Sequence, residues 1–168
     1  VALVTEDGTI VSGAEAYLSV ADADTYFSSR GNPTSWSSAT TAEKESALRY
    51  ATQYMELRYR FKGDLIESTQ PLSFPRTSFY NHDNKLLAGS GTIPTPIQHA
   101  NAELALRHLT ENLFYSTNPD DSRITSKSIG DVSETYDVNR SSSRFTFIDL
   151  LLGDYLLNSP SVVPVIRG

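Results

Sequence analysis

Thr40 and Glu43 stand three residues apart, just ahead of an apolar series (Ala47, Leu48, Ala51, Tyr54, Met55) that returns to one helical side every three or four residues. At that spacing the Thr hydroxyl and the Glu carboxylate satisfy orphan N–H groups of a first turn reciprocally, so the chain starts a helix here. Its end is basic, with Arg58, Arg60 and Lys62 before Gly63, and cations there complement the helix dipole.

Other elements are read outward from this helix. Ser19 is a good N-cap, Val20, Ala23 and Phe27 share a face, and Gly31 supplies a left-handed stop, which predicts a helix from Val20 to Arg30. Residues 1–18 form an N-terminal arm with a β-prone stretch and the turn pair Asp7-Gly8. Trp36 follows the loop Asn32 to Ser35. Residues 63–95 lose helical periodicity and carry Pro71, Pro75, Gly89, Gly91 and the run Asn81 to Asn84, a loop long enough to indicate a functional or assembly role. A third helix starts near Pro96, where Ile97, Ala100, Leu104, Ala105, Leu106, Leu109 and Leu113 leave only a narrow polar face. It completes a helical body over residues 20–115.

Alternation around Ile129-Gly130-Asp131 predicts a hairpin over residues 124–138, and Phe147, Ile148, Leu151, Leu152, Tyr155 and Leu156 predict a last helix over 145–157. Two prolines keep the tail, residues 159–168, extended. The 168 residues suit one domain. The fold class expected is mainly α: a compact bundle of about four helices with a projecting β-hairpin and extended terminal arms.

Much chemistry is excluded. Without cysteine there is no disulfide, no thiol nucleophile and no Cys-ligated metal. His82, His99 and His108 lack the i, i+4 spacing of two ligands on one helix face, Asp22 and Asp24 cannot share a face, and Asp120-Asp121 lacks the other oxygens of a calcium loop. No serine has a G-x-S-x-G context, and Gly89-Ser90-Gly91 lacks the lysine of a phosphate-cradling loop. Glu43 and Glu45 belong to a solvated helix face. No enzyme, no metal and no cofactor is expected. The opening residues hold no basic stretch followed by an apolar one, so a soluble chain without an export signal is expected.

One cluster could contact nucleic acid: Arg58-Tyr59-Arg60-Phe61-Lys62, with Phe74-Pro75-Arg76 further on. Interleaved aromatics and cations can stack on bases and meet phosphates. The competing reading makes Tyr59, Phe61 and Phe74 core or loop anchors, with arginines that end a helix or pair with acids. The net charge of -6, from 14 Lys+Arg and 20 Asp+Glu, favours that reading, since coating nucleic acid requires clustered cations. On it the two motifs pack together, Phe61 and Phe74 anchor the loop, and Arg76 bonds a carboxylate or helix end.

Several segments in order resemble a family of tailed-bacteriophage head-tail connector or adaptor proteins, often labelled DnaT-like single-stranded DNA-binding proteins. They include Glu6-Asp7-Gly8-Thr9, Ala16 to Phe27, Arg30-Gly31-Asn32 with Trp36, Glu43 to Leu48, Tyr59 to Gly63, Gln70 to Arg76, Ile93-Pro94, Ala102 to Arg107 and Lys127 to Val132. The resemblance implies a structural adaptor of the virion neck, made in the bacterial host cytoplasm. It would assemble as a ring of twelve copies under the portal protein, joined to a tail or stopper protein, with packaged double-stranded DNA passing through and no membrane partner. Its assembly interface is expected at Ile129, Val132 and Tyr136 of the hairpin and at Val162, Val163, Val165, Ile166 and Arg167 of the tail, an apolar β-prone set suited to strand addition on a neighbour. The alternative function is single-stranded DNA binding in phage replication, through Arg58, Tyr59, Arg60, Phe61, Lys62, Phe74 and Arg76.

Overall fold

The structure, a computed structural model, describes residues 2–81, 83–114, 126–129, 132–135 and 145–157. It is mainly helical. The elements are α1 (Val20–Ser28), α2 (Thr34–Ser37), α3 (Thr41–Arg58), β1 (Phe79–Tyr80), β2 (Leu86–Ala88), α4 (Thr95–His108), β3 (Ser126–Ile129), β4 (Val132–Thr135) and α5 (Thr146–Leu152). A short 3-10 turn, Gly153–Tyr155, continues α5.

The predicted caps form. Thr40 and Glu43 exchange bonds in a full capping box ahead of α3, and the Ser19 hydroxyl accepts from the Asp22 N–H ahead of α1. Helices α3 and α4 are the centre of the core. Ala47, Leu48, Ala51 and Met55 of α3 and Ile97, Ala100, Leu104 and Ala105 of α4 are fully buried, and the alanines let the two helices lie close. Asn101 is buried between them, its amide donating to Leu48 O (3.2 Å) and to Thr52 Oγ1 (2.9 Å). These bonds cover the cost of hiding that amide's N–H groups and fix how the helices meet.

Trp36 is fully buried against Phe27, ring centroids 4.8 Å apart, on the four-residue helix α2, which the sequence reading left as loop. Its indole N–H donates to Asp24 Oδ1 (2.8 Å), the oxygen that also accepts from Lys44 Nζ (2.8 Å). The N-terminal arm, expected to be extended, folds back on itself and docks: Thr5 bridges Ala16 in parallel, the backbone is left-handed at Gly8, Ile10 and Gly13 between them, and Ala14, Ala16, Tyr17 and Leu18 belong to the core. The Glu6 carboxylate is buried and accepts from the N–H groups of Gly8, Ile10 and Val11, each at 2.9 Å.

Several features differ from the sequence reading. Helix α1 ends at Ser28, two residues before Arg30, where the backbone turns toward the left-handed Gly31. Helix α4 ends at His108, although Leu113 beyond it is still buried. The last helix is α-helical only to Leu152, and Gly153 begins the tighter turn. The 63–95 stretch holds a small hairpin, β1 paired antiparallel with β2, and a bridge between Leu65 and Arg76. The second hairpin forms at β3 and β4, with Ile129 opposite Val132.

Candidate nucleic-acid interface

Past the last turn of α3 the backbone becomes extended, with Tyr59 at φ -109° and ψ 152°. It pairs with the segment after α5: Lys62 N–H donates to Tyr155 O (2.8 Å), Leu157 N–H donates to Arg60 O (2.9 Å), and Phe61 bridges Leu156 between them. Successive side chains of extended backbone point to opposite faces. Tyr59 and Phe61 therefore turn into the core, while Arg60 is exposed and Lys62 half-buried on the other side; Arg58, the last residue of α3, is exposed just before them.

The inward set is structural. The Tyr59 hydroxyl donates to Asp149 Oδ1 (2.7 Å), and burial, then that carboxylate, pushes the phenol well above its ordinary pKa. Phe61 meets Phe74, centroids 5.0 Å apart, so the two motifs pack together as expected. Arg76 turns back rather than outward, donating from Nε to Lys62 O (2.7 Å), from Nη2 to Gly63 O (2.5 Å) and from Nη1 to Ser73 O (3.1 Å). Its partners are backbone carbonyls, two in the segment that follows α3 and one in its own loop, where a carboxylate or helix end was expected. Phe61 and Phe74 are buried on both faces, so neither ring is available for stacking on bases.

The outward set is different. Arg60 Nη1 donates only to backbone, to Tyr59 O (3.2 Å) and more distantly to Glu56 O, and Lys62 Nζ donates to Asp154 O (2.9 Å). Arg58, Arg60 and Lys62 form no ion pair with a described residue, whereas Lys44, Arg49 and Arg107 each have one. Three cations close together in sequence thus lack an ion-pair partner among the described residues.

Aromatic surface adjoins them along α3, where Tyr50, Tyr54 and Arg58 follow at i, i+4 and i+8 on one face. Tyr50 stacks on His108 of α4, centroids 4.5 Å apart and planes 29° apart, and Phe114 meets both Tyr50 (6.4 Å) and Tyr54 (5.8 Å). Tyr50 is 44 % exposed and Phe114 40 %, large values for rings already in contact with others. Burial holds the His108 imidazole below its ordinary pKa, so this ring is neutral at pH 7. The sequence reading missed this platform, because its rings come from two helices and the segment after α4. The i, i+4, i+8 series on α3 was the signal available.

The family model described as "Putative DnaT-like ssDNA binding protein" matches residues 1–168. The chain belongs to that family. No curated protein and no solved structure matches the chain. The whole-length family match corrects the expectation of a head-tail connector: it points to single-stranded DNA, with nothing toward a virion neck, a portal or tail partner, a ring or passing double-stranded DNA. The interface expected for that assembly also loses its partner. Of its residues, Tyr136, Val162, Val163, Val165, Ile166 and Arg167 lie outside the described residues, and Ile129 and Val132 pair with each other across the β3–β4 turn.

The charge argument needs the same correction. A net charge of -6 is a property of the whole chain, while a bound strand meets local charge. Exposed charges beyond about 10 Å are largely screened at 0.1 M salt, so the cations at 58–62 weigh more than distant carboxylates.

Proposed function

We propose that this protein binds single-stranded DNA along the edge formed by Arg58, Arg60 and Lys62 and the adjoining Tyr50–Phe114 platform. The cations meet phosphates, and the exposed rings stack on bases without regard to sequence. The observation that carries the reading is the alternation of residues 59–62, which turns Tyr59 and Phe61 inward and leaves Arg60 and Lys62, with Arg58 at the end of α3, without an ion pair among the described residues and near exposed rings. Membership of the DnaT-like family supports the same ligand.

The test is fluorescence anisotropy of a labelled oligo(dT) titrated with the protein at several salt concentrations. Three phosphate contacts predict that log K falls against log[salt] with a slope of about -2, at about -0.7 per contact for a single strand. The reading is overturned by absence of binding at low salt, or by an affinity that reversing Arg58, Arg60 and Lys62 to Glu leaves unchanged.

A further inference from the structure

Helix α1 and the first turns of α4 enclose a cleft of about 420 Å³ that the strand interface does not use. Its volume falls within the range of small-molecule sites, about 300–1,000 Å³. Asp22 and Tyr26 line it from one face of α1, Arg30 from the turn just past the C-cap Ser29, and Gln98 and His99 from α4.

Arg30 is fixed in place. Its guanidinium lies over the Tyr26 ring, 4.0 Å from the centroid, and Tyr26 is itself held by a bond from its hydroxyl to Glu103 Oε1 (2.8 Å) and by contact with the His99 ring (4.4 Å). A guanidinium held over a ring still offers N–H groups to a planar acceptor pair. Arg30 forms no ion pair with a described residue. In the first turn of α1, Asp22 Oδ2 accepts from Ser19 Oγ (2.5 Å), and its other oxygen has no partner among the described residues.

The remaining groups distinguish a base from a bare anion. The hydroxyls of Thr25 and Ser29 already donate to Ala21 O (2.9 Å) and Tyr26 O (2.8 Å), so they turn only lone pairs to the cleft. Burial, then the nearby Arg30 charge, keeps the His99 imidazole below its ordinary pKa and therefore neutral at pH 7. One cation set against a carboxylate and further acceptors is a poor phosphate site. It fits a planar ligand with an acceptor edge at one end and a donor edge at the other. Asp22 lies in the first turn of α1 and Arg30 just past its C-cap with the guanidinium folded back over Tyr26, so both charged groups stand on one wall of the cleft, within hydrogen-bonding reach of a single purine. Of the purines, guanine has the matching edges: O6 and N7 for the arginine fork, N1–H and N2–H for the carboxylate. Adenine would turn its amino group toward Arg30.

We infer that this cleft is a guanine pocket, taking one base of a bound strand with Arg30 on O6/N7 and Asp22 on the opposite edge. The inference rests on the strand-binding reading for the source of the base, but the pocket is testable without it. Guanosine, adenosine, cytidine and thymidine 5′-monophosphates are titrated into the intact protein while the His99 ring resonances are followed by NMR. The guanine nucleotide should shift them and saturate at least fivefold more tightly than the other three, about the least that a good bidentate contact supplies. Arg30→Ala, Arg30→Lys and Asp22→Asn should each remove the preference, and both sites are exposed enough to leave the fold intact. In a second arm, one dG placed in oligo(dT) should tighten binding in the parent and leave it unchanged in Arg30→Ala. No response to the guanine nucleotide, an equal response to all four, or a preference that survives Arg30→Ala overturns the pocket. If oligo(dT) fails to bind while the guanine nucleotide does, the strand reading fails and the pocket stands.

Discussion

The Phe61 ring meets the Phe74 ring edge to face, with centroids 5.0 Å and planes 68° apart. This contact fastens the loop after Gly63 to the end of α3. It also sets the position of the outward cations, because Phe61 lies between Arg60 and Lys62 in the same extended segment. The ring that anchors the core and the charges offered to a strand are covalent neighbours.

Phe74→Ala should cost about 3–5 kcal/mol, since the ring is fully buried and its removal leaves a cavity. For a chain of this size that lowers the melting temperature by about 10 °C, which a thermal melt by circular dichroism reads directly. Below the transition the salt slope of oligo(dT) binding should not change, because no phosphate contact is lost. A loss under about 1 kcal/mol would place the ring outside the core.

Arg60→Ala should weaken binding to every sequence alike and reduce the salt slope by about 0.7, the share of one phosphate on a single strand. Phe114→Ala should weaken binding by about 1–3 kcal/mol through lost stacking and leave the slope where it was. Measured side by side, the two variants separate charge from stacking; identical slope changes in both would contradict the division of labour between edge and platform.

Stability should fall between neutral and mildly acid pH. Burial holds the imidazoles of His108 and His99 below the ordinary value near 6.5, with Arg30 adding to the effect at His99 and Glu103 opposing it. The unfolded chain therefore takes up protons that the folded chain refuses. The contribution is complete above about pH 6.5 and is lost as pH falls through the folded values. Denaturant melts at pH 7.5, 6.0 and 5.0 should show the decline, and His108→Gln should flatten it. A flat profile in the parent would refute the assignment.

Gly63→Ala should destabilise by about 1–3 kcal/mol. Gly63 has φ +76°, and a Cβ there would stand 2.9 Å from Thr77 O and 3.0 Å from the Phe79 ring. The same chemical-denaturation assay checks it, and an effect under about 0.5 kcal/mol would mean that the loop yields.

Helix α3 was legible because its signals are local: a cap, a period and a basic end, all within one segment. Helix α2 was not, since four residues carry no period and Trp36 is fixed by Phe27 and Asp24 from another element. The end of α4 was misplaced because Leu113 remains apolar and buried after the helix stops, and burial alone does not reveal backbone form. At the candidate interface the cations were visible as a run, but their separation from Tyr59 and Phe61 depends on backbone pairing with residues 155–157. The Tyr50–His108–Phe114 platform is assembled by the packing of α3 against α4, which no local pattern encodes.

The alternation at residues 59–62 acts as a reading frame for the surface. Substitutions at Arg58, Arg60 and Lys62 leave the frame intact, so charge there can be removed or reversed while the fold persists. Inserting or deleting one residue shifts the frame, carrying arginines inward and aromatic rings to the water. Length in this short segment is therefore constrained more tightly than chemistry, and a chain altered in length here would lose its stability and its ligand in a single step.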